Sequence, residues 1–190
     1  MTVGCVLLVV MALDWFARAQ VDAWSQIKNE GKPATSELPI EVVGRQFEWR
    51  FRYPSSSRLE NDPELVSTFA KEAQSEGQAD DVHVVNELHV WKGAQVEVHV
   101  KSADVLHSFF LPQLRLKQDA IPGRVSPIQL VVPEANTEWD PHTSDWKDTG
   151  ELTIVCAELC GSGHYTMRGK VYVHKTKKDF LRWLRQAEER

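Results

Sequence analysis

The sequence predicts a mainly β protein: an antiparallel sandwich or barrel with an apolar helix before it and an amphipathic helix behind it. Three observations carry this. Short segments with period-two alternation of apolar and polar residues recur between turn-forming residues. Val3 to Leu13 is a continuous apolar run. Phe180, Trp183, Leu184 and Ala187 fall on one face of a helical pattern that follows Thr176, a residue suited to an N-cap.

The elements follow in order. Val3–Leu13 has about eleven residues and would rise about 16 Å as a helix, half the hydrocarbon core of a bilayer. With Trp15, Phe16 and Arg18 behind it, it reads as the outer half of a transmembrane helix, residues 1–20, whose start lies upstream. Ala17-Arg18-Ala19 also suits a signal-peptide cleavage site, and a buried core helix is a third reading. Residues 21–38 are polar, contain Gly31 and Pro33, and read as a linker. Pro39 to Tyr53 reads as one strand. Val43, Phe47, Trp49, Phe51 and Tyr53 take one face, and Gln46, Glu48, Arg50 and Arg52 the other. Residues 54–81 interrupt the pattern. Glu60, Asp62, Glu64, Glu72, Glu76, Asp80 and Asp81 there outnumber Arg58 and Lys71. The segment reads as a solvated insertion, or as a docking surface for a cationic partner. Strands follow at Val82–Val90 and, after a turn at Trp91-Lys92-Gly93, at Ala94–Lys101. Further strands are expected at Ile128–Val132, Glu151–Cys156 and Gly169–His174, then a helix capped by Thr176 and running through Glu189.

Composition narrows the classes. At 190 residues, the chain has room for one domain with a small appendage. Its 42% hydrophobic and 26% charged residues exclude collagen-like and wholly disordered chains. A net charge of −5 argues against a nucleic-acid partner and is compatible with a basic protein partner. Three cysteines are too few for a disulfide-stapled fold.

The chemistry concentrates in Cys156-Ala-Glu-Leu-Cys160-Gly-Ser-Gly-His164-Tyr-Thr-Met167. Two thiols, an imidazole and a thioether lie on a glycine-containing loop at the end of a strand. Soft sulfur donors with imidazole select copper, and a second thiolate allows both sulfurs to bridge two ions. A second imidazole is needed, and His107 supplies the best candidate: a polar ring among apolar neighbours in Asp104-Val-Leu-His107-Ser-Phe-Phe-Leu. His83, His89, His99, His142 and His174 have no comparable partner cluster and read as ordinary residues. A zinc site, a Cys156–Cys160 disulfide and a Cys–His catalytic pair remain as alternatives.

These blocks resemble subunit II of haem–copper cytochrome c oxidase, in its outer copper-binding (CuA) domain. The matching features are Cys156-x3-Cys160-x3-His164-x2-Met167, Asp104-Val-Leu-His107-Ser, Leu116-Lys117-Gln118-Asp119-Ala120-Ile121-Pro122-Gly123-Arg124, and the aromatic stretch Gly44 to Tyr53. The resemblance covers Pro39 to Arg190, with residues 54–81 as an insertion. It implies a cupredoxin-like Greek-key β-barrel. It implies two copper ions bridged by Cys156 and Cys160 and completed by His107, His164, Met167 and the backbone carbonyl of Glu158. The Glu158 side chain would hold magnesium or manganese at the boundary with subunit I. Lys117, Asp119 and Arg124 would face that subunit. Electrons would arrive from cytochrome c near Phe47 and Trp49 and leave for haem in subunit I, where oxygen is reduced and protons are pumped. The chain would thus be an enzyme subunit without oxygen chemistry of its own, membrane-associated and on the extracytoplasmic side. Phe47 stands where the family carries its electron-receiving tryptophan. A secreted copper carrier or store, and the CuA domain of nitrous-oxide reductase, are the competing readings.

Overall fold

A computed structural model describes residues 2–28, 36–75, 77–143, 145–148, 150 and 152–190, and it divides the chain into two compact units, Met1–Ala34 and Thr35–Arg190. The first unit is the helix α1, Thr2–Lys28. Its apolar stretch, Val3–Ala23, has 21 residues and is long and apolar enough to cross a membrane. The stretch carries the Val3–Leu13 run on to Ala23. Asp14 and Arg18 break the apolar run in the sequence, but they lie one turn apart and pair at 2.9 Å. Large apolar side chains from Val3 to Val21 are exposed along the helix. The expected linker is helical as far as Lys28, and its next seven residues lie outside the described set.

The second unit packs two five-stranded sheets. The first contains β1 (Leu38–Arg45), β2 (Glu48–Tyr53), β3 (Val82–Val85), β5 (Val96–Ser102) and β8 (Ser126–Leu130), in the order β3-β2-β1-β5-β8. The second contains β4 (Glu87–Trp91), β6 (His107–Leu111), β7 (Leu116–Ala120), β11 (Thr153–Cys156) and β12 (Arg168–His174), in the order β4-β12-β11-β6-β7. A separate ribbon pairs β9 (Thr137–Asp140) with β10 (Asp145–Asp148). The sheets are mixed rather than wholly antiparallel: β1 runs parallel to β5 and β4 parallel to β12.

Several sequence expectations change. Pro39–Tyr53 is two strands, not one, because the chain turns at Gln46-Phe47 and β1 pairs with β2 in an antiparallel hairpin. Val82–Val90 is also two strands. Asn86, at φ 59°, sits between them and passes the chain from one sheet to the other. The core lies between the sheets. Trp49, Phe51 and Tyr53 point into it from β2, Phe109 from β6, and Val171 and Val173 from β12. Helix α4 (Lys177–Glu188) closes one side with Phe180, Leu181, Trp183 and Leu184. Its start is as expected: the Thr176 side chain accepts a hydrogen bond from the Asp179 N–H.

The acidic insertion is not a solvated loop. It forms α2 (Ser56–Asn61) and α3 (Leu65–Glu72), which bury Leu59, Leu65 and Phe69. Much of its acidity is internal. Asp81 takes Arg52 at 2.6 Å and Arg58 at 2.9 Å, Glu72 pairs with Arg58, and Glu60 pairs with Arg185 of α4. A docking surface for a cation loses those charges. Arg52, expected on the solvent face of its strand, is buried there because Glu41 and Asp81 meet its guanidinium.

Candidate metal centre

β6 begins at His107, and β11 ends at Cys156 on the neighbouring strand, where Cys156 pairs with Phe109. The loop from Cys156 to β12 then folds back on itself. Gly161, at φ 141°, turns it, and His164–Thr166 form one turn of 3-10 helix that brings Met167 under the loop. His107 and Met167 are fully buried, and Cys156 and Cys160 nearly so.

The donor atoms converge. Cys156 Sγ lies 3.8 Å from His107 Nδ1, 3.9 Å from Cys160 Sγ and 3.2 Å from the Glu158 carbonyl oxygen. Cys160 Sγ lies 3.6 Å from His164 Nδ1 and 3.9 Å from Met167 Sδ. The candidate donor atoms of His107, Cys156 and Cys160 all fall within 4.8 Å of one another. The two cysteine sulfurs are unbonded and 3.9 Å apart. Burial, together with the neighbouring Cys156, pushes the Cys160 thiol up to about 11. A bound cation reverses that preference, because thiolate is the ligating form and metal uptake releases the proton. A thioether and a carbonyl beside two thiols suit copper better than a closed tetrahedral zinc site.

One surrounding group was not foreseen. Asp104 Oδ1 lies 2.8 Å from His107 Nε2, which turns Nδ1 toward the sulfurs. Desolvation alone would raise the Asp104 carboxyl. Hydrogen bonds from the Gln46 N–H, His107 and the Val105 N–H outweigh it and hold the group below the usual carboxylate range. Asp104 precedes His107 by three residues, so a local signal existed for it.

The other predicted residues divide. The Glu158 side chain is exposed and separate from its carbonyl, which faces Cys156. Phe47 is half-buried against the ligand loop. Trp49 has no exposed surface. It lies inside, edge-on to His107 at 6.0 Å and to Phe109 at 5.4 Å, so it is an inner ring and not a surface aromatic. The exposed large apolar side chains on this loop are Leu159 and Tyr165, at 79% and 73%. Lys117 and Asp119 point outward from β7, the edge of the second sheet, and Arg124 is exposed just beyond it. Asp119 is tied back to the His107 strand by a 2.7 Å hydrogen bond from Ser108. His89, His99 and His174 are buried away from the donor cluster, and His83 and His142 are exposed.

A family profile described as "Cytochrome C oxidase subunit II, periplasmic domain" matches residues 38–173. The chain belongs to the cytochrome c oxidase subunit II family. The alternative cytochrome c oxidase subunit 2 of Bradyrhizobium diazoefficiens is 33% identical over 87% of this chain and 55% of its own length. Cytochrome c oxidase subunit 2 of Thermostichus vulcanus is 38% identical over 80% of this chain and 34% of its own length. The chain thus spans about half or less of these subunit II relatives. Among solved structures, the periplasmic domain of subunit II of cytochrome oxidase from Bradyrhizobium japonicum superposes with a TM-score of 0.57 at 26% identity, over 82% of this chain and 96% of that one. The two-sheet body is the cupredoxin-like fold of subunit II periplasmic domains.

Proposed function

We propose that this chain is the electron-receiving subunit II of a haem–copper oxidase, with a dinuclear CuA centre held by Cys156, Cys160, His107, His164, Met167 and the Glu158 carbonyl. The convergence of two thiols, the buried His107 and half-buried His164 imidazoles, and a thioether in one cluster supports this most directly. When bound, the copper pair supplies a one-electron store whose charge is shared over two ions. The protein keeps the ligands dry and fixed, so that little rearrangement accompanies electron transfer. β6 and β11 hold His107 beside Cys156, and the buried Met167 limits solvent from below.

The electron donor is a cytochrome c or a similar small carrier. It approaches the ligand loop, where Phe47 lies against the glycines and Trp49 backs His107. The acceptor is haem in subunit I, where oxygen is reduced and protons are pumped. Lys117, Asp119 and Arg124 face that subunit, and the outward Glu158 carboxylate offers a hard oxygen ligand to magnesium or manganese at the boundary. Helix α1 anchors the domain on the extracytoplasmic side of the membrane.

The test is copper reconstitution of the full chain in detergent, with a metal count and electron paramagnetic resonance. Two coppers per chain and one unpaired electron split equally by both nuclei are expected. A single-copper signal, or preferential zinc uptake, overturns the reading.

A further inference from the structure

The copper ligands come from two separate pieces of chain, the start of β6 and the loop between β11 and β12. One residue of a third piece bonds to both. Gln46, at the tip of the β1–β2 hairpin, donates its backbone N–H to Asp104 Oδ2 at 2.8 Å. The other oxygen of that carboxylate lies 2.8 Å from His107 Nε2. The Gln46 side-chain amide donates from Nε2 to the carbonyl oxygen of Cys160 at 2.5 Å. The tip is seated on both sides. The Gly44 carbonyl accepts from the Ala103 N–H at 2.9 Å. A Cβ on Gly163 would lie 2.5 Å from Phe47 Cδ2, and one on Gly161 would lie 2.8 Å from Gln46 Nε2. The hairpin tip therefore occupies the space these glycines leave free.

We infer that Gln46 is a positioning residue for the dinuclear centre, clamping the Cys160 backbone to the Asp104–His107 pair and so fixing the spacing between the two halves of the ligand set. This inference rests on the copper reading above. Gln46 itself is exposed at the side chain and contributes little to the core. Its amide is a donor to a carbonyl, a role that neither a thioether nor a carboxylate can fill. The loop conformation that equalises the two copper sites loses one hydrogen bond when that donor is removed, which raises the misaligned fraction about fivefold.

The experiment compares the full chain in detergent with Gln46→Met, Gln46→Glu and Asp104→Asn, each reconstituted with copper. Gln46→Met keeps the length and loses the donor; Gln46→Glu keeps the shape and replaces the donor with an acceptor. The expected result is two coppers per chain and a melting temperature lowered by no more than about 4 °C in both Gln46 variants. Their paramagnetic spectra should show unequal or broadened splitting, and the midpoint potential should be displaced. Asp104→Asn should perturb the same spectrum through His107. Equal splitting and an unchanged potential in both Gln46 variants, beside a normal wild type, overturn this inference alone. A wild type without the two-copper signal overturns the copper reading and this inference with it.

Discussion

Replacing Arg52 by leucine should destabilise the β domain by about 3 kcal/mol. The guanidinium is 2% exposed and meets Glu41 at 2.8 Å and Asp81 at 2.6 Å. It also lies over the Phe69 ring at 4.4 Å, which ties β2 to α3. Removing one partner from a buried ionic cluster costs about 3–5 kcal/mol, because the remaining charges stay buried. The lower end applies here, since each carboxylate keeps a partner: Glu41 retains Lys101 at 3.0 Å, and Asp81 retains Arg58 at 2.9 Å and the Gln78 N–H at 2.9 Å. In a chain of this size each kcal/mol moves Tm by about 2–4 °C, so a fall of about 6–12 °C is expected. Near-ultraviolet circular dichroism of the buried tryptophans follows the transition without contribution from the α1 backbone. Arg52→Leu combined with Asp81→Leu should cost less than the sum of the single changes by about 1 kcal/mol or more. A Tm shift below about 2 °C, with additive single and double variants, would falsify the claim that this buried cluster binds the insertion to the sheet.

Three further outcomes are expected. Cys156→Ser or Cys160→Ser should abolish the two-copper signal, because one sulfur cannot form the same bridge, whereas Met167→Leu should retain copper with a shifted potential; metal analysis with redox titration checks both. His174 is buried and lies beside His89, and its pKa is lowered to about 2. Above about pH 6.5 neither folded nor unfolded chain protonates it, so stability is flat; below that only the unfolded chain takes the proton, and stability should fall by about 1.4 kcal/mol per pH unit. Urea titrations between pH 7.5 and pH 4.5 should show His174→Gln losing that part of the slope. Finally, Gly163→Ala should cost about 1–3 kcal/mol through overlap with the Phe47 ring, and Phe47→Ala in the same chain should recover most of it, as measured by thermal melts.

The parts of this protein that were legible in the sequence are those whose signals are local. The alternation in Val96–Lys101, the Thr176 cap and the apolar face of α4 each occupy a short window, and each appears as expected except that His99, on the polar side of the alternation, is buried. The convergence of the candidate donors was legible for the same reason, since four of them lie within twelve residues and His107 sits in its own distinctive block. What failed was long-range. Period-two alternation assigned Arg52 to solvent because the partners that bury it, Glu41 and Asp81, come from a neighbouring strand and the end of the insertion. The alternation across Val82–Val90 gave no hint that Asn86 redirects the chain into another sheet. β6, β7, β9 and β10 were not anticipated as strands; β7, with Lys117 and Asp119 outward, resembles a polar loop until it pairs with β6. The Gln46–Cys160 bond spans 114 positions, and nothing near Gln46 announces it.

The parallel pairings have a consequence for how the protein matures. β1 joins β5 across the insertion, and β4 joins β12 across most of the domain. Such distant contacts form late and slowly during folding. During synthesis the hairpin tip is made long before the loop it contacts, and Met167, the last of the proposed ligands, directly precedes β12. The proposed donor set is therefore complete only once the segment that leads into the terminal strand has been made and folded back. On the copper reading, a chain that binds the metal pair has already brought its late-made Cys156–Met167 loop against the earlier-made His107 strand.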